Sequence, residues 1–155
     1  IEEGQVNFSI VYDFINDIVY HAERGTGTYK NDTRLFVSDR PIADAYLGYE
    51  THLNKSENMK RFLRLREQGA LFRSVNAGWE FAMVAEGKLE GRISFDPWGK
   101  DYDFAPGSLL VSEAGGIVAN LGKATYDYRN LDFIASNKFV FEALTEGKDA
   151  IFPIA

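Results

Sequence analysis

The fold is decided by residues 95–116, whose sequence is FDPWGKDYDFAPGSLLVSEAGG. Phe95 ends an apolar strand, and a loop rich in Asp, Gly and Pro follows it. The run Asp103–Ala114 predicts a helix, because the pair of glycines at 115 and 116 is a strong helix-ending signal. Residues 117–120 predict another strand. A strand, a loop, a helix and a strand in this order indicate a layered α/β fold.

Strands and helices continue to alternate on both sides of this stretch. Short apolar runs predict strands at residues 45–49, 70–75, 92–95 and 133–136. Helices are predicted at residues 56–68 with Ser56 as the N-cap, from residue 76 or 77 to 86, and at 137–145. We therefore expect residues 39–155 to form a C-terminal α/β domain with a mixed sheet.

The first part of the chain has a different, extended pattern. Val6, Phe8, Ile10 and Tyr12 are spaced two residues apart, which predicts a half-buried strand. A turn at residues 14–17 leads into a second strand at 18–22, and breaks at 25–28 and 31–32 precede a third at 35–37. Because a meander of two or three strands is barely stable alone, residues 1–38 are predicted to be strands of an incomplete antiparallel sheet. We expect apolar side chains of its first strand to be exposed or covered by another chain.

The composition excludes several classes of protein and of site. The 155 residues correspond to one domain or slightly more. A net charge of −6 and a pI near 4.9 disfavour nucleic acid and anionic membranes as partners. With no Cys and two His, the chain lacks disulfides, thiolate chemistry and multi-His metal sites, so oxygen ligands must hold any metal. No secretory signal is visible, and a cytoplasmic location is expected.

Three carboxylates fall in the loop and helix start of the deciding stretch, at Asp96, Asp101 and Asp103. Ligands of α/β sheets bind outside the carboxyl ends of the strands, where such loops lie. A carboxylate at a helix start is also favoured in its ionised, metal-binding form by the helix dipole. The alternative is that Asp103 only caps its helix and that the other two are solvated loop acids.

The same residues carry a family resemblance. The runs DFAPG at 103–107 and VSEAGG at 111–116 resemble the WDxA[AP]G…xEAGG signature of the inositol monophosphatase family. Three further stretches follow the family's order. They are ERGTGTYKN at 23–31 with VS at 37–38, RSVNAG at 73–78, and VAEGKLEG at 84–91. These resemble [KR]GxG[AT][FY]xNG…VS, RxxG[ST]A and VAxGx[LV]DG.

This resemblance implies a layered α/β sandwich of the sugar-phosphatase type and a Mg²⁺-dependent phosphomonoesterase. It implies that Asp103 is a metal ligand and that Asp96 contacts substrate hydroxyls. The segment Asn76, Ala77 and Gly78 would lie against substrate at a helix start. Arg73 either meets substrate or pairs with a loop acid. The substrate would be a small phosphorylated sugar or polyol, with inositol phosphate, fructose 1,6-bisphosphate and a nucleotide 3′-phosphate all open.

The chain departs from the family pattern at several positions. Neither the family's DPxDGT motif nor its upstream acidic pair occurs, Tyr102 replaces the family's Trp, and Asn76–Gly78 differs from G[ST]A. We therefore expect the C-terminal portion of a family member, inactive alone, that forms a homodimer or associates with a missing N-terminal part. The alternative is a non-catalytic sugar-phosphate-binding or assembly module. Gly25 and Gly27 either cradle phosphate or only form a turn, and we favour the turn.

Overall fold

The computed structural model describes residues 1–155 and begins with a four-stranded antiparallel meander in the order β1-β2-β3-β4. Its strands are β1 (Phe8–Asp13), β2 (Ile18–Glu23), β3 (Gly27–Lys30) and β4 (Thr33–Leu35). The apolar alternation places Phe8, Ile10 and Tyr12 on one face of the edge strand β1, where each is more than half exposed. Val6 precedes the strand and is buried, so only part of the predicted apolar set is exposed.

A five-stranded mixed sheet follows, in the order β6-β5-β7-β9-β8. Strands β5 and β6 and strands β5 and β7 pair in parallel, whereas β9 runs antiparallel to both β7 and β8. The elements are a 3₁₀ turn (Ile42–Asp44), β5 (Tyr46–Glu50), α1 (Ser56–Arg66), β6 (Ala70–Arg73), α2 (Ala77–Ala85), β7 (Gly91–Ser94), α3 (Asp101–Glu113), β8 (Ile117–Asn120), β9 (Phe133–Ser136) and α4 (Lys138–Thr145). The predicted fold class, an antiparallel sheet followed by a mixed α/β sheet, is confirmed.

Helices α2 and α3 lie between the two sheets. Ala82 and Leu110 pack in a cluster with Tyr20 and Ala22 of the antiparallel sheet, whereas Phe81 packs with Phe133 of the mixed sheet. Helices α1 and α4 share a further core cluster with strands β5, β7 and β9. The molecule is therefore layered as sheet, helices, sheet, helices. None of its helices is long and apolar enough to cross a bilayer.

The close approach of α2 and α3 depends on one glycine. A Cβ added at Gly107 would lie 2.1 Å from ring carbons of Phe81, a distance that no side chain tolerates. Gly107 belongs to the DFAPG run, so this part of the motif has a packing reason.

Several predicted boundaries are wrong, among them the ends of α1 and β6, which each come two residues earlier than predicted. The glycine-rich break at residues 25–28 overlaps a real strand, β3, because Thr28 Oγ1 donates to the Leu110 carbonyl at 2.6 Å and ties it to α3. The strand predicted at 35–37 is β4 at Thr33–Leu35, and the N–H of Val37 bonds the Ala114 carbonyl instead. Ser56 is not the N-cap of α1, since Lys55 holds that extended position without a side-chain cap. Helix α3 begins at Asp101, two residues before the predicted start.

Candidate active site

A cleft of about 220 Å³ opens where helices α2 and α3 begin. The parallel strands β5 and β7 end beside it, at Glu50 and Ser94, and β6 leads into it through Ser74. A second, more open depression of about 460 Å³ adjoins the cleft, since both are lined by Val75, Asn76, Ala77 and Asp103. Ligands of open α/β sheets bind at this edge of the strands. The junction of the two depressions is therefore the candidate site.

The start of α2 supplies one wall of the site. Asn76 is the N-cap, and its Oδ1 accepts the N–H of Trp79 at 3.1 Å. Asn76 stands where the family pattern has Gly, and Asn is among the residues that stabilise a helix start best as an N-cap. Ala77 and Gly78 are the first helical residues and line the open depression. Their N–H groups have no acceptor within the helix, and such groups at a helix start attract anions.

Asp103 lies on the opposite wall, in the first turn of α3, and is exposed. Its Oδ2 accepts the N–H of Lys100 at 2.8 Å, which satisfies the helix start as the capping interpretation requires. Its Oδ1 accepts no hydrogen bond, and no cation of the protein lies within ion-pair distance of the carboxylate. One oxygen of Asp103 can therefore serve as a ligand while the other caps the helix.

Asp96 lies elsewhere, against α1. Its carboxylate accepts hydrogen bonds from Lys55 Nζ at 2.8 Å and from Asn58 Nδ2 at 2.7 Å. The hydrogen bond from Lys55 is the main cause that lowers the pKa of Asp96 below its ordinary value. Asp96 lines neither depression, so the structure does not bring it together with Asp103. Its predicted contact with substrate hydroxyls stays a prediction.

Arg73 also lies outside the lining of the cleft but contacts a residue that forms it. Its guanidinium carbon is 4.7 Å from the centroid of the Trp98 ring, and Trp98 lines the cleft. Of the two alternatives for Arg73, pairing with a loop acid is not observed, because no carboxylate lies within 4.0 Å of it.

A buried ion network beneath the cleft is the main feature that the sequence analysis missed. Arg92, which is 1% exposed, pairs with Glu50 at the end of β5 and with Glu80 of α2. It also donates to Ser74 Oγ at 2.7 Å, and that hydroxyl donates to Glu80. A signal was present in the sequence for one member, since Glu80 is a lone charge inside the apolar run from Ala77 to Ala85.

The same network holds both walls of the cleft. Glu80 Oε1 accepts the N–H groups of Val75 and Asn76 at 2.9 and 3.3 Å, immediately before α2. Glu50 Oε1 accepts the N–H of Gly99 at 2.7 Å, in the loop that leads to Asp103. The segments that carry the candidate residues are thus tied to one buried guanidinium.

Gly25 and Gly27 do not form a free phosphate cradle. Their N–H groups both donate to the carboxylate of Glu113, at 3.0 and 3.1 Å. Both glycines have positive φ, as the tight turn requires. The turn interpretation is therefore the one that the structure supports, and the Glu of the VSEAGG run fastens the antiparallel sheet to α3.

The residues of the site fit one part of a Mg²⁺ site. Mg²⁺ takes oxygen ligands, and the unengaged Oδ1 of Asp103 is one. Glu50 cannot add a second without breaking its bonds to Arg92 and Gly99. No group of three or more His, Cys, Asp or Glu residues in the chain could hold a metal ion. These residues therefore supply a ligand but not a complete set.

Comparison with known proteins agrees with this fold and with the order of the motifs. A sequence model of the inositol monophosphatase family matches residues 1–149. The chain belongs to this family. The inositol-1-monophosphatase of Rhizobium meliloti is 31% identical over 153 residues, which cover 93% of this chain and 56% of that protein. The fructose-1,6-bisphosphatase/inositol-1-monophosphatase of Thermococcus kodakarensis is 32% identical over 113 residues, 73% of this chain and 42% of that protein.

Comparison with a solved structure supports the same fold for this chain. The extragenic suppressor protein suhB from Bartonella henselae superposes with a TM-score of 0.79 at 28% identity, over 88% of this chain and 54% of that one. This chain spans about half the length of the curated relatives that it matches.

Proposed function

We propose that these residues are part of a Mg²⁺-dependent phosphomonoesterase of the inositol monophosphatase type, which hydrolyses a small sugar or polyol phosphate. The observation that carries the proposal is the unengaged oxygen of Asp103, located opposite the start of α2 at the strand ends. Membership of a family that contains inositol monophosphatases supports the reaction class. The bound Mg²⁺ would supply activation of water and stabilisation of the leaving oxygen.

The residues at the candidate site have separate tasks in that reaction. Asp103 holds the cation with one oxygen and keeps its own helix start capped with the other. The first-turn N–H groups of Ala77 and Gly78 orient the anionic end of the substrate across the cleft. The Arg92 network keeps these two walls at a fixed separation.

Any further carboxylate ligands would come from outside these 155 residues, either from the same polypeptide or from a second chain, in addition to the water and phosphate oxygens that Mg²⁺ commonly takes. This follows from the single available carboxylate at the site. The same observation favours the second candidate function, a non-catalytic module that binds a sugar phosphate or promotes assembly. The two functions differ in whether phosphate is released.

The experiment measures inorganic phosphate released by the longest natural polypeptide that contains these residues. Inositol 1-phosphate, fructose 1,6-bisphosphate and a nucleotide 3′-phosphate are offered with Mg²⁺ or with excess EDTA. We expect release from at least one ester with Mg²⁺ and none with EDTA. Binding of an ester without release under either condition would contradict the enzyme and select the module.

A further inference from the structure

A pocket on the far side of α3 has no part in the proposed reaction. Its volume is about 320 Å³, and its walls come mainly from residues 4–6, the middle of α3 and residues 124–128 between β8 and β9. Because an α-helix has 3.6 residues per turn, Ser112 of this pocket lies on the opposite side of α3 from Asp103, about 14 Å along the helix axis. The pocket shares no lining residue with the candidate site.

The size and lining of this pocket suit a small organic molecule. Pockets that enclose a whole small ligand have volumes of roughly 300–1,000 Å³, and they combine an apolar wall with a few polar groups. Val6, Leu109 and Val118 supply the apolar wall here, and burial of apolar ligand surface against them is favourable. Hydroxyl groups of serine, threonine and tyrosine side chains supply most of the polar part. A bare inorganic ion would leave the apolar wall without a partner.

Arg24 is the only charged residue in the lining. Its guanidinium is fixed in place, because Nε donates to Asn7 Oδ1 at 3.2 Å and Nη2 donates to the Val6 carbonyl at 2.9 Å. Its Nη1 donates to no group of the protein, and no carboxylate lies within 4.0 Å of the guanidinium. A fixed guanidinium with free N–H groups can bind an oxyanion through charge-assisted hydrogen bonds.

Two neighbouring carboxylates do not neutralise Arg24. Glu2 accepts a hydrogen bond from Asn7 Nδ2 at 3.3 Å, so the Asn7 amide lies between Glu2 and Arg24. Glu113 accepts two N–H groups of the β2–β3 turn instead. Neither carboxylate lines the pocket. The pocket therefore carries one positive charge, although the whole chain has a net charge of −6.

The lining also contains a hydroxyl group that no other group of the protein satisfies. Tyr126 Oη is buried and has no hydrogen-bond partner. Burial raises the pKa of Tyr126 to about 12, so at neutral pH this hydroxyl is protonated and can donate. A buried donor without an acceptor costs about 1–3 kcal/mol, and an acceptor oxygen that reaches it from the pocket would recover part of that cost. The polar groups thus favour a ligand that accepts hydrogen bonds.

We propose that this pocket is a ligand site, separate from the candidate active site, for a small organic carboxylate. The carboxylate lies at Arg24, and the apolar body of the ligand packs against Leu109 and Val118. A carboxylate fits this site better than a phosphate ester, because a single guanidinium neutralises a single negative charge. The inference does not depend on the proposed phosphatase reaction.

The test titrates benzoate, benzamide and inorganic phosphate into the ¹⁵N-labelled longest natural polypeptide, with EDTA present to remove divalent cations. Benzamide has the shape of benzoate without its charge, and phosphate has a charge without the apolar body. We expect benzoate to shift amide resonances of residues 4–6, 108–112 and 124–128, with a Kd about 10-fold below that of benzamide. This ratio is the low end for a hydrogen bond to a charged group, since Arg24 is exposed. Phosphate should leave these resonances unchanged.

Variants at two positions locate the binding. Arg24→Gln should remove the advantage of benzoate over benzamide and leave the Kd of benzamide unchanged. Ser112→Phe fills the pocket and should abolish benzoate binding, whereas its matched control Ser112→Ala leaves the pocket open and should bind benzoate nearly as well as wild type. If Arg24→Gln does not fold, because Arg24 also holds Val6 and Asn7, the Ser112 pair decides. Equal affinity for benzoate and benzamide, or benzoate binding that Ser112→Phe does not weaken, would overturn the site.

Discussion

Replacing Arg92 by Met tests whether the buried ion network supports the fold and the site. The guanidinium is 1% exposed and neutralises Glu50 and Glu80, whose side chains are 5% and 0% exposed. Removing one partner of a buried pair leaves an uncompensated charge and costs about 3–5 kcal/mol. Because a single guanidinium serves two carboxylates, we expect a loss in the upper part of that range. Met fills similar space, so the loss reports charge rather than a cavity.

The assay is urea unfolding followed by circular dichroism, with Arg129→Met as the matched control. Arg129 pairs with Asp127 on the surface and is 69% exposed, so its removal should cost at most about 1 kcal/mol. If Arg92→Met does not fold, adding Glu50→Gln and Glu80→Gln should restore folding, since the amides keep an acceptor for the N–H groups of the cleft walls. A cost for Arg92→Met equal to that of the control would refute the reasoning.

Further variants test the packing and the charges around the site. Gly107→Ala inserts a Cβ against the Phe81 ring and should cost about 1–3 kcal/mol or more in urea unfolding, whereas an unchanged midpoint would contradict the observed packing. Glu113→Ala leaves two N–H groups of the β2–β3 turn without their acceptor and, because water can reach this turn, should cost about 0.5–1.5 kcal/mol; no measurable loss would contradict a stabilising role of Glu113. Because Lys55 lowers the pKa of Asp96, that carboxylate stabilises the fold above its unfolded pKa of about 4 and loses this effect as pH falls further. Asp96→Asn should therefore make stability less dependent on pH below about 4, and an unaltered pH profile would exclude this contribution.

The fold could largely be predicted because its signals are local. The two-residue alternation of β1 and the double glycine after α3 each lie within a few residues of the structure that they determine. Strand β3 was predicted as a break because its glycines are local breakers. What holds it is the contact of Thr28 with Leu110, 82 residues later in the chain.

The site could be predicted only in part, because several of its contacts join residues that are far apart in the sequence. The motifs placed Asn76, Ala77, Gly78 and Asp103 at two helix starts, and the structure brings all four to the lining of the open depression beside the cleft. The partner of a side chain is not visible in one sequence when it lies far along the chain. Glu50 and Arg92 are 42 residues apart, and the Lys55 that turns Asp96 towards α1 precedes it by 41 residues.

The most direct test of the account is the pair of variants Asp103→Asn and Asp101→Asn in the longest natural polypeptide. The amide introduced by Asp103→Asn would still accept the N–H of Lys100 but would offer a cation no charge, so phosphate release with saturating Mg²⁺ should fall at least ~10²-fold, as for a lost electrostatic contact. The urea midpoint should stay within error of wild type. Asp101 is exposed and lines neither depression, so its variant should keep both activity and stability. Full activity of Asp103→Asn would contradict the assignment of Asp103 as a metal ligand and leave it a helix cap alone.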